Sequence, residues 1–184
     1  MNTVRRIFYV DAYYSYEPGL ETKEYYPDKK DLRVESTALH LFDAYGYVET
    51  CNDNIVVVFI KKKGIPVKEM IQKGEKIIEG IILPDTALLS KVHSCNHDVL
   101  KDAKRGARVA VTWRDIVHVE NLPRYDCAIM YTEGTLYKIE KDHIVLKETE
   151  TIRMHPMPVI NHPAGKPMWY TIPISFIKEV EVIS

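Results

Sequence analysis

The chain has 184 residues, a formal net charge of −1, 46% hydrophobic residues and 28% charged residues. That length holds one good core or two small ones, and the composition is that of an ordinary soluble globular protein. A near-neutral balance excludes a dedicated nucleic-acid coat, which would be clearly basic, and leaves room only for local basic clusters.

Three unpatterned cysteines, Cys51, Cys95 and Cys127, fit a reducing compartment better than a disulfide framework. Asp11 interrupts the N-terminal apolar run after four residues, which is the pattern of neither a signal peptide nor an anchor. No run approaches the roughly 18 apolar residues of a membrane span. The expectation is a cytoplasmic protein with no membrane contact.

In chain order, the first strand signal is IFYV (7–10), followed by an aromatic-rich segment with Tyr13, Tyr14, Tyr16, Tyr25 and Tyr26. PGLETKEYYPDKKD (18–31) reads as a surface loop. STALHLFDAYG (36–46) opens on a Ser/Thr cap signal and ends on Gly46, so it reads as a short helix or as a strand feeding a glycine bend. The polar turn NDN (52–54) leads into IVVVFI (55–60), and a lysine-rich stretch leads into IIEGIIL (77–83). HDVLKDAKRG (97–106) is the second helical candidate. RVAVTW (108–113), a second glycine bend at Gly134, the turn KDH (141–143), the Pro-rich loop HPMPVINHPAGKP (155–167) and IKEVEVI (177–183) complete the chain.

A repeat underlies this order. DNIVV from Asp53 returns as DHIVL from Asp142, and ILPDTALL from Ile82 returns as TIPISFI from Thr171, both 89 positions later. A fixed offset means one supersecondary unit used twice. Each copy reads as strand, glycine bend, strand, tight polar turn, strong apolar strand, loop, strand, Pro-led turn, strand. The shared P-x-[TS]-x-[LI] places Pro at the head of a single 3₁₀ turn. A small barrel of five strongly bent strands satisfies the pattern. The fold class expected is mainly β, two tandem small bent β-barrels with one or two short helices. The division expected is a first barrel with its N-terminal extension over 1–93, a linker or short helix over 94–106, and a second barrel over 107–184.

At GTLYKIEKDHIVL, more loosely at GYVETCNDNIVV, and at the closing YTIPISFIKEVEVI, the chain resembles the Sm/Hfq-like (LSm-type) small β-barrel. The resemblance spans 44–92 and 128–184 and implies an SH3-like fold, RNA or single-stranded nucleic acid as partner, and assembly into rings. In that family an Asn in the turn before the third strand and an Arg-Gly pair before the last strand pinch nucleotides. Asn54 matches the Asn, His143 occupies its place in the second copy, and Pro84-Asp85 and Pro173-Ile174 stand where the Arg-Gly pairs would be.

The nucleic-acid-binding candidates are Asp53, Asn54, Asp142 and His143 in the two turns, together with Lys61, Lys62 and Lys63. The turn residues also suit these positions on backbone grounds alone. The lysines head a stretch (61–76) of six lysines and two glutamates, enough for a few salt-dependent phosphate contacts; lysines there also guard a strand edge. His93, Cys95 and His97 alternate in HSCNH and would need a fourth partner to hold zinc or iron. His155 and His162, beside Trp169 and Tyr170, form a ligand rim or a plain surface loop. No nucleophile elbow, phosphate-cradling glycine loop or recognisable acid pair appears. The reading is a non-enzymatic binding or scaffold module without cofactor or metal. The alternatives are a structural protein that oligomerises by strand-edge pairing, in a ring of about three chains, and a metal-dependent enzyme built on HSCNH.

Overall fold

The computed structural model describes residues 3–15, 39–59, 77–92, 95–122, 126–155, 159–160 and 169–184. Strands dominate, as β-branched and aromatic runs favour a pleated surface. They are β1 (Thr3–Asp11), β2 (Tyr13–Ser15), β3 (His40–Cys51), β4 (Asn54–Phe59), β5 (Ile77–Pro84) and β6 (Arg108–Asp115). The rest are β7 (Val117–Leu122), β8 (Ala128–Ile139), β9 (His143–His155), β10 (Val159–Ile160), β11 (Trp169–Pro173) and β12 (Ile177–Val182). The one α-helix among the described residues is the four-residue α1 (Leu89–Val92). No helix among them is long and apolar enough to cross a membrane.

The helical reading of 97–106 is corrected, and of the two readings of 36–46 the strand holds. The described part of 36–46 is strand, because 40–46 is paired throughout with β1 and runs on into the stretch, from Gly46, that also pairs with β4. The segment 97–106 contributes only a 3₁₀ turn over His97–Leu100, whose first turn is capped by Asn96 Oδ1 accepting from the Asp98 amide at 2.9 Å.

The strands form two antiparallel sheets, in the orders β1-β3-β4-β5-β7 and β12-β6-β8-β9-β11-β2, with β10 attached to β9. The copies are therefore not closed barrels. The edges of β5 and β11, which closure would have used, are each taken by a strand from the other half: Ile77–Ile82 by β7, and Trp169–Thr171 by β2. The chain crosses between sheets just after Asp11 and again just after Asp115.

The repeat is kept in register. Asn54 pairs with Pro84 and His143 with Pro173; Asp85 N–H donates to Asp53 O and Ile174 N–H to Asp142 O, both at 2.9 Å. Each Pro-led 3₁₀ turn forms, over Asp85–Ala87 and Ile174–Phe176. The two turns meet through equivalent atoms: Thr86 Oγ1 donates to Ser175 O at 2.8 Å, and Ser175 Oγ donates to Thr86 O at 3.0 Å. Such reciprocity requires a local twofold axis between the copies. Matching β1 to β6 through their pairing with the two bend glycines makes Arg5 equivalent to Val109 and Asp11 equivalent to Asp115.

One apolar cluster serves both sheets, joining Val10, Leu41, Val57 and Leu83 to Trp113, Leu136, Leu146, Ile172 and Phe176. A polar thread inside it is satisfied: Trp113 Nε1 donates to Thr132 Oγ1 at 3.0 Å, and the Thr132 and Thr151 hydroxyls lie 2.9 Å apart. A second, smaller cluster of Tyr47, Val56, Val58, Ile82 and Cys127 covers the other face of the first sheet. β12 enters the core only through Ile177 and Val180, and a register shift between Ile177 and Glu179 accounts for their three-residue spacing.

Gly46 is fixed by close approach. A Cβ there would meet the Val58 carbonyl oxygen, with the Phe59 Cα only 3.2 Å away, and neither backbone can retreat inside a paired sheet. Gly46→Ala is expected to lower unfolding free energy by on the order of 3 kcal/mol in urea titrations, the upper range for overpacking. An unchanged midpoint would show that the bend tolerates a side chain.

Candidate nucleic-acid interface

The two polar turns, equivalent by sequence, have different environments. In the first, Asn52 and Asp53 both adopt left-handed backbone (φ 46° and 62°), the geometry of a two-residue hairpin turn that Asn and Asp tolerate best. Their side chains are exposed, whereas Asn54 is buried at 7% exposure. Asn54 Oδ1 accepts from Arg114 Nη2 and from Cys127 Sγ (3.1 Å), and Arg114 Nη2 also donates to Asp53 O at 3.0 Å. Arg114 arrives from β6, in the other half of the chain. The guanidinium is thus anchored on the turn, and its planar fork presets the remaining donors.

A cleft of about 470 Å³ opens here, lined by Asn52, Asp53, Asn54, Arg114, Asp126 and Lys178, with Cys127 and Ile129 at its apolar side. The lining includes two cations and two carboxylates, so the cleft suits a ligand with both anionic and hydrogen-bond-donating groups. Its volume lies within the range of small-molecule sites.

The second turn is filled. Asp142 and His143 are each 5% exposed, and His143 Nδ1 donates to Asp142 Oδ1 at 2.6 Å. His97 Nε2 donates to Lys141 O at 2.8 Å, and Cys95 Sγ lies 3.6 Å from the same oxygen and 3.5 Å from His97 Nε2. Burial, reinforced by the Asp142 charge, pushes the Cys95 thiol up, so it stays protonated. Cys95 and His97 spend their polar atoms covering the Lys141 carbonyl, and no cluster of metal-ligating side chains occurs among the described residues.

Of the sequence-predicted residues, the structure brings Asp53 and Asn54 together at the cleft and sets Asp142 and His143 in the closed equivalent turn. Lys61, Lys62, Lys63, His93 and His162 lie outside the described residues.

Arg114, Asp126 and Lys178 were not singled out by the sequence. Under the twofold match Arg114 corresponds to Val10 and Lys178 to Leu89, so no repeat signal marks them. The acid pair of Asp11 and Asp115 was also missed. These equivalent carboxyls hydrogen-bond each other across the axis, where the chain changes sheets. The backbone N–H of Ile116 donates to Asp115 Oδ1 at 2.8 Å, and Oδ1 of Asp11 is buried without a partner. Desolvation first, and then the Asp115 charge, holds the Asp11 carboxyl well above the usual carboxylate range. Desolvation likewise pushes Asp115 up to about 7, so near neutrality the pair shares a proton.

No protein-family description, no curated protein and no solved structure matches this chain.

The acid pair carries a pH prediction. Both folded-state values exceed the ordinary Asp value, so the stability linked to protonation is fully present below about pH 4. It is lost as pH rises toward and through about 7. Denaturation midpoints should therefore fall between pH 4 and pH 8, on the order of a few kcal/mol in all. Asp11→Asn should shrink that fall, and the double variant Asp11→Asn/Asp115→Asn should flatten it. A wild-type profile already flat over this interval would mean that neither carboxyl is held above its ordinary value in the folded protein.

Proposed function

We propose that this protein is a non-enzymatic nucleic-acid-binding module of Sm-like type, and that one nucleotide of a single-stranded RNA occupies the cleft under turn 52–54. The observation that carries this is the placement of Arg114 on Asn54 Oδ1 and Asp53 O, beside Lys178. In the resembled family the Asn of this turn works with an Arg-Gly pair before the last strand, where this chain has Pro84-Asp85 and Pro173-Ile174. Here a guanidinium reaches the same Asn from the other half of the chain. Phosphate is the ligand group that suits Arg114 and Lys178, and base N–H donors such as the N3–H of uracil suit Asp53 and Asp126. The closed second turn limits the reading to one such site per chain.

A second reading, association through strand edges, is supported by the outer edge of β12, where Val182 and Ile183 are 41% and 46% exposed. With β5 and β11 already paired inside the chain, the strands left at the sheet ends are β1, β7, β12 and β2, and a ring in this reading joins β12 of one chain to β1 of the next. Sedimentation separates the states: a single 21.3 kDa species at micromolar concentration removes this reading.

Fluorescence anisotropy with a labelled ten-nucleotide oligouridylate tests the first reading. Wild type should bind with a shallow salt slope of about −1.4, the value for two phosphate contacts on a single strand. Arg114→Ala and Lys178→Glu should each weaken binding about tenfold or more. Wild-type affinity in both variants would rule out the cleft.

A further inference from the structure

The outer face of the second sheet differs from its equivalent in the first in a way that points to a ligand. Along β9, Ile144 and Leu146 enter the core, so Val145 and Lys147 project to the other side. Along β11, Tyr170 and Ile172 enter the core, so Trp169 and Thr171 project outward; Tyr13 of β2 lies opposite Thr171. In the first sheet the equivalent positions are Tyr47, Val56, Val58 and Ile82, and these are buried beneath Cys127 and Val117. In the second they are Thr135, Val145, Lys147 and Thr171; Val145 and Thr171 are buried as well, while the polar Thr135 and Lys147 remain partly exposed.

Tyr137 has no counterpart in the first copy. Thr50–Ile55 matches Ile139–Ile144 at the repeat offset, but the register shift between Leu136 and Lys138 inserts one residue into β8. That residue is Tyr137, turned out to 43% exposure. A bulge of this kind re-aims a side chain. The Tyr137 and Trp169 rings stand perpendicular (89°) with centroids 4.8 Å apart, and Lys147 Nζ is 6.0 Å from the Tyr137 centroid. Arg105 Nε donates to Tyr137 O at 3.1 Å, placing a second cation at the rim, while Lys138 is paired with Glu140 at 2.6 Å. On the facing strand, Glu148 is held in left-handed backbone (φ 53°).

An aromatic corner in which Tyr137 is exposed and Trp169 partly so, flanked by Lys147 and Arg105, matches the two recurring needs of an unpaired nucleotide: a π-face for the base and a cation for the phosphate. We infer that this face is a second contact for the strand bound at the cleft, with one base stacked on the Trp169–Tyr137 corner and its phosphate at Lys147. The inference rests on the proposed single-strand binding and adds a separate surface to it.

The two tryptophans make the surface directly readable. Trp113 is fully buried and hydrogen-bonded, whereas Trp169 is partly exposed, so oligonucleotide-induced quenching reports on Trp169. Oligouridylate should quench wild-type emission at saturation and leave Trp169→Phe emission unchanged. Tyr137→Ala, at an exposed position, should weaken binding about tenfold by anisotropy, and Lys147→Glu by a similar factor. The blue-shifted Trp113 emission checks that each variant is folded. Binding without quenching, unaffected by Tyr137→Ala yet weakened by Arg114→Ala, would overturn this surface and leave the cleft standing. Quenching with loss in Tyr137→Ala but none in Arg114→Ala would support the surface and overturn the cleft. Absence of any binding by wild type overturns both.

Discussion

Each sheet is completed by a strand from the opposite half of the chain, and the other features of the molecule follow from that exchange. β7 closes the edge of β5, β2 closes the edge of β11, and the two crossings pass each other at Asp11 and Asp115. Because the crossing is reciprocal, equivalent atoms must face one another across the axis. The Thr86–Ser175 pair and the acid pair are its two polar expressions. The hydroxyl pair satisfies two carbonyls inside an interface. The carboxyl pair places two like groups together, which sets stability against rising pH.

The same symmetry makes its departures informative. A twofold repeat would give two equal turns and two equal outer faces. Instead one turn carries a guanidinium from the neighbouring half and opens on a cleft, while the other is packed with Asp142 and His143 and capped by His97. One outer face is buried under Cys127; the other bears an inserted tyrosine. Packing alone would not require these differences, because the apolar residues that fill the first copy's outer face could equally have filled the second's.

Local features of the fold were legible because they depend on local chemistry. Pro84 and Pro173 head their 3₁₀ turns, Asn52 and Asp53 accept left-handed backbone, and Gly46 permits close approach, each within a few residues. Barrel closure was misjudged because it depends on which edge the short strands β2 and β7 join, and pairing partners leave no periodic trace in composition. The 36–46 segment carries a helix-like start but is decided by its pairing with β1, a tertiary override of local preference. The candidate site was half visible. Asn54 stood out through its turn, whereas Arg114 and the acid pair belong to β1 and β6. Those strands repeat at a different offset because the segment joining them to the next long strand is longer in the first copy, 12–39 against 116–127.

The strand exchange also orders events during synthesis. β1, β3, β4 and β5 emerge first, but the outer edge of β5 has no partner until residues 117–122 have left the ribosome. β2 waits longer still, because its partner β11 begins at Trp169, some 150 residues downstream. The nascent first half is therefore an incomplete sheet with a strongly apolar strand at its rim, and vectorial folding cannot proceed one copy at a time. Completion of the N-terminal half is tied to residues 169–171, so a translation product cut short before them would carry two unsatisfied edges rather than one finished domain.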